Sequence, residues 1–148
     1  IAAQDSAPLG IAWNDDGSRL YEVGVDSKIY QSSVSTPFDI TSASISTSIS
    51  TRDSFPSGIA WNDDGSRLYE VGEGSDLIYQ YTVSTPFDIS SASFSTSIYS
   101  YLFSPSDIAY DADRSRLYEV RVGSKIYQSS ISTPSDITSA SSSTTINS

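Results

Sequence analysis

The sequence predicts an all-β fold of stacked four-stranded antiparallel sheets, the blades of a β-propeller. Three observations lead there. A unit of just under fifty residues recurs, small polar residues alternate with Ile, Val, Tyr and Phe in short strings, and no apolar stripe of helical period runs through them. The first unit opens Pro8-Leu-Gly-Ile-Ala-Trp-Asn-Asp-Asp-Gly-Ser-Arg-Leu-Tyr-Glu-Val, and the second repeats it from Pro56 with Ser in place of Leu. The third, from Pro105, diverges to Pro-Ser-Asp-Ile-Ala-Tyr-Asp-Ala-Asp-Arg-Ser-Arg-Leu-Tyr-Glu-Val. The offsets of 48 and 49 residues suit a sheet-forming repeat, since helical solenoid units would show a 3.6-residue period.

Each unit divides into four strands by its turn signals. In the second unit Gly58 to Asn62 reads as the first strand, Asp63-Asp64-Gly65-Ser66 as a tight turn, and Arg67 to Val71 as the second strand. Gly65 supplies the positive φ that a short hairpin requires. The segment from Gly72 to Asp76 turns again, Leu77 to Val83 forms the third strand, Ser84-Thr-Pro-Phe-Asp88 opens a longer loop, and Ser93 to Ser100 forms the fourth. Apolar residues such as Ile59, Trp61, Leu68, Tyr69, Val71, Ile78 and Val83 fall on both parities, as expected when neighbouring sheets cover both faces.

The string Asn-Asp-Asp-Gly-Ser-Arg-Leu-Tyr, at 62–69, is similar to the Pro-Asp-Gly-x-x-Leu-Tyr hairpin of YVTN-type and related bacterial propeller repeats. The stretch from Ile78 to Ser93 resembles tandem blades of secreted bacterial and phage-encoded proteins. The resemblance spans nearly the whole chain and implies a propeller fold in an extracellular or virion-surface setting. It implies no single activity, because propellers host binding, scaffolding and catalysis alike. The third unit departs from it: Arg114 replaces the turn glycine, and Ser135 and Ser142 stand where the first unit has Phe38 and Ile45.

The units are expected at 8–55, 56–104 and 105–148, forming one domain, with residues 1–7 completing a fourth strand. Counting back seven positions from each repeat's proline aligns Ile1, Ile49 and Ile98, and Ile146 matches them near the other end. Lack of methionine suggests a processed chain or a piece of a longer one, with Ile1-Ala2-Ala3 as the remnant of a removed signal. A three-blade arc leaves two sheet faces uncovered, whereas propellers close with about four to eight blades. Copies of the chain are therefore the expected partners, as a six-bladed ring of two chains or a head-to-tail array; further blades of a longer parent would serve equally.

Composition narrows the chemistry. A formal net charge of −10 opposes nucleic-acid phosphates and anionic lipid, and no apolar run is long enough for a membrane span. Without cysteine or histidine the chain has no disulfide, no thiolate metal site and no imidazole base. Neither cofactor nor catalysis is expected. The acidic turns Asn14-Asp-Asp-Gly17 and Asn62-Asp-Asp-Gly65 offer oxygens to calcium, but their spacing fits neither an EF-hand nor the aspartate box of sialidase-type propellers, so hairpin turns are the preferred reading and no metal site is assigned.

Glu22, Glu70 and Glu119 recur in mid-strand, where a buried carboxylate needs a partner. Ion pairs with Arg19, Arg67 and Arg116, or with Lys28 and Lys125, are expected. Equivalent glutamates on successive units lack the differentiated acid and base of a glycosidase. The unrepeated aromatics Tyr81, Tyr99, Tyr101 and Phe103 mark either an interface or a glycan-binding patch, and the serine-rich fourth strands are candidates for O-linked glycans.

Overall fold

In the computed structural model, which describes residues 2–113, 115–121, 123 and 125–147, the chain forms three four-stranded antiparallel sheets in sequence order. The first holds β1 (Pro8–Trp13), β2 (Arg19–Gly24), β3 (Lys28–Val34) and β4 (Ala43–Ser50). The second holds β5 (Pro56–Trp61), β6 (Arg67–Gly72), β7 (Leu77–Val83) and β8 (Ala92–Tyr99). The third holds β9 (Asp107–Asp111), β10 (Arg116–Arg121), β11 (Lys125–Ile131) and β12 (Ala140–Asn147). Each is a meander in which every strand pairs with its chain neighbour. All four strands of a sheet are contiguous in sequence.

The β5–β6 hairpin shows why the turn sequence works. Gly65 sits at φ +69°, its N–H donates to the Asn62 carbonyl, and the Ser66 N–H donates to the Asp64 carboxylate. The Asn62 side chain accepts from the Arg67 N–H at 2.8 Å, closing the hairpin. In the third sheet Arg114, which replaces the glycine, lies outside the described residues, yet β9 and β10 remain paired from Asp111 opposite Arg116. After each third strand an aspartate caps a 3-10 turn: Asp39, Asp88 and Asp136 accept from the N–H two residues on.

The sheets stack face to face, with β1 beside β5 and β5 beside β9. One apolar cluster joins Tyr21, Val23 and Ile29 of the first sheet to Ile59, Trp61, Leu68, Tyr81 and Val83 of the second. Another joins Ala60, Tyr69, Val71 and Ile78 of the second to Ile108, Leu117, Ile131 and Ile137 of the third. Alternation within a strand sends Leu68 and Glu70 toward the first sheet and Tyr69 and Val71 toward the third.

The amino-terminal stretch corrects one expectation. Residues 2–7 form no strand, and Ile1 lies outside the described residues. Among the described residues the fourth strand of every sheet is supplied by contiguous sequence, so 2–7 complete none of these three sheets. The N–H groups of Gln4 and Asp5 donate instead to Glu22, tying this stretch to the first sheet.

Candidate functional site

The chemistry-bearing residues concentrate at the junctions between sheets. Glu70 is fully buried, facing the first sheet, and accepts hydrogen bonds from the backbone N–H of Asp53 at 2.7 Å, from that of Arg52 at 3.0 Å, and from the Tyr81 hydroxyl. Glu22 takes the N–H of Gln4 at 2.9 Å and of Asp5 at 2.6 Å. Glu119 accepts from the Ser100 hydroxyl and the Tyr101 backbone, while its Oε1 has no partner among the described residues. Each glutamate thus clamps the segment that leads into its own sheet. Burial pushes the Glu70 and Glu119 carboxyls above their ordinary range despite these donors.

This arrangement replaces the expected pairing of Glu22, Glu70 and Glu119 with Arg19, Arg67 and Arg116. The arginines precede the glutamates by three positions on the same strand, an odd offset that sends them to opposite faces of the sheet. Arg19 donates to the Phe87 carbonyl in the second sheet at 2.6 Å, and Arg67 donates to the Ser66 carbonyl at 3.0 Å. Lys28 lies over the Tyr30 ring on its own strand, while Lys125 sits at the start of β11 opposite Arg121.

Two further bonds recur at both internal junctions. The hydroxyls of Tyr21 and Tyr69 donate to the carbonyls of Phe87 and Ser135 in the following sheet. The side-chain carbonyls of Gln31 and Gln80 accept from the N–H groups of Ile89 and Ile137, each at 3.0 Å. Burial raises both tyrosine hydroxyls well above the usual phenol range, so they remain donors. The glutamine role escaped the sequence reading, although Ile-Tyr-Gln is identical in all three units and was its available signal.

A second overlooked position is Gly10, Gly58 and Asp107. A Cβ on Gly10 would lie 2.6 Å from the Ser57 carbonyl oxygen and 3.1 Å from the Gly58 Cα; on Gly58 it would lie 2.7 Å from the Asp107 Cα. Glycine here lets adjacent first strands touch.

The four singled-out aromatics separate. Tyr81 stands opposite Leu68, on the Glu70 face, and is buried; it is a core partner of that carboxylate and no part of a surface patch. Tyr99, Tyr101 and Phe103 come together with Ser75 and Asp76 around a pocket of about 220 Å³. Tyr99 is 81% and Phe103 75% exposed, and Tyr101 stacks parallel on Tyr127 at 5.3 Å.

The acidic turns of all three sheets lie near one another: the Asp63 carboxyl is raised first by desolvation, then by Asp15, Asp113 and Asp111. Among the described residues no group of three or more His, Cys, Asp or Glu is disposed to hold a metal. Asp64 is already engaged by Ser66, which holds its carboxyl below the usual range. Among the described residues no helix is long and apolar enough to cross a membrane.

No protein-family model matches the sequence. No curated protein matches it either. Among solved structures, hydrazine synthase of Kuenenia stuttgartiensis aligns with 100% of this chain at a TM-score of 0.67 and 18% identity. The chain spans 38% of that protein's length. The neighbour contains a β-propeller, and the three stacked meanders here are propeller blades that do not close a ring alone. It is also an enzyme, but the likeness at this identity defines the fold only.

Proposed function

We propose that the chain is a non-catalytic, extracellular structural module that associates with copies of itself, a scaffold or fibre subunit built from YVTN-related repeats. The observation that carries this reading is the state of the two outermost faces. The first sheet turns Ile11, Phe38, Ile40 and Ile45 outward, all exposed, and the third turns out Val120 and Ile126. Most of these are the same residues, unit for unit, that the internal junctions bury: Ile11 corresponds to Ile59, Ile40 to Ile89, Val120 to Val71 and Ile126 to Ile78. Apolar faces of this kind favour association. The test is native mass spectrometry with sedimentation velocity on the whole chain. Dimers or longer oligomers are expected, and a monomer at every concentration would overturn the reading.

A second reading rests on the Tyr99–Tyr101–Phe103 pocket. Exposed aromatic faces beside Ser75 and Asp76 suit stacking on a sugar ring, so this surface is a candidate glycan-binding patch. A glycan array would reveal it. Loss of any signal in Tyr99→Ala with Phe103→Ala, while oligomer mass is unchanged, would separate it from self-association.

A further inference from the structure

The two internal junctions serve as templates for contact between chains. On the face turned toward the next sheet, Ala60, Tyr69, Val71 and Ile78 of the second sheet are matched in the third by Ala109, Tyr118, Val120 and Ile126. On the receiving face, Ile59, Trp61, Leu68, Val83 and Ile89 of the second sheet are matched in the first by Ile11, Trp13, Leu20, Val34 and Ile40. A second copy seated with its first sheet on the third sheet of this one therefore repeats the apolar contacts that already hold the chain together.

The receiving face differs at Tyr81, which is Ser32 in the first sheet, and on the delivering face one position breaks the match. Gly10 and Gly58 leave room for the backbone of the following sheet, at separations that a Cβ would reduce to 2.6 and 2.7 Å. The third sheet places Asp107 there, exposed, its Oδ1 accepting the Ile108 N–H at 2.9 Å. In the same seating, the Asp107 Cβ is driven toward the Leu9 carbonyl and the Gly10 Cα of the second copy.

We propose that copies join head to tail, third sheet on first sheet, and that Asp107 is the residue that makes this junction weaker than the two within the chain. The proposal rests on the self-association reading and adds to it a direction and a determinant. The contact is heterologous, so each copy gives one face and receives on the other. Overlap at a packed interface is relieved when the side chain is removed.

The test uses the whole chain in sedimentation equilibrium, comparing the parent with D107G, D107A and I11D. D107G is expected to associate about tenfold to a hundredfold more tightly, the range for relieving an overpacked contact. D107A keeps the Cβ and should gain less, while I11D should abolish association. The chain has no native cysteine, so mixing I11C and V120C chains under oxidation gives unambiguous products. The mixed disulfide is expected in preference to either homodimer. Association equal in the parent, D107G and D107A, or an I11C homodimer as the main product, overturns the head-to-tail proposal and leaves self-association standing. If the parent and D107G both remain monomeric at millimolar concentration, both readings fall.

Discussion

β1 and β5 share the run Gly-Ile-Ala-Trp, yet their surroundings differ completely. Every residue of β5 is buried, whereas β1 is exposed or half-buried along its length. Ile59 is 3% exposed and Ile11 is 66% exposed. Identical local sequence forms identical strands, so backbone propensity and turn chemistry suffice for the element. The energetic weight of each side chain then depends on whether another sheet lies against it.

The sharpest way to break this comparison is to cut the same side chain in both places. Leu68→Ala removes a fully buried group and should destabilise the chain by about 2–5 kcal/mol in denaturant titration. Leu20→Ala, on the half-buried outer face, should cost less than about half of that. Equal losses would mean that the first sheet's outer face is covered after all. Gly58→Ala forces a Cβ into the next sheet's backbone and should cost about 1–3 kcal/mol, measured by thermal unfolding.

Acid titration sharpens the comparison further. Burial raises the folded-state pKa of Glu70 above its ordinary 4.5, so in the window above that value the folded chain holds the proton more firmly than the unfolded chain. The Glu70 contribution to stability is therefore greatest at low pH and declines as pH rises through the window. Glu70→Gln should remove that decline, seen as a gap between the two stability curves that changes with pH above 4.5. A parallel pair of curves would refute the assignment. The smallest effect concerns Trp61, whose buried Nε1 has no partner among the described residues. Trp61→Phe sheds that unmet donor and should offset about 1 kcal/mol or more of the lost packing, an offset absent for the half-buried Trp13.

Much of this architecture was legible before any coordinates. The repeat spacing, the Asp-Asp-Gly turns and the two-parity apolar pattern lead directly to three meanders with shared cores. The glutamate partners were not legible, because backbone N–H groups of a connecting loop leave no residue-type signature. The placement of the arginines was legible: Arg67 and Glu70 are an odd number of positions apart, and strand alternation alone sets them on opposite faces. Tyr81 was misplaced for a similar reason, since its uniqueness among the repeats suggested surface specialisation when its strand position put it beside Glu70. The change from Gly58 to Asp107 was visible in the aligned units, but its meaning required knowing how closely first strands approach.

The contiguity of the strands carries a consequence for inheritance. Since no strand is borrowed across the arc, a crossover between the nearly identical stretches at 8–23 and 56–71 deletes or duplicates one whole meander, with every ladder intact. A change of length by such an exchange would add or remove whole four-stranded sheets and leave the pairing of every remaining strand as it is.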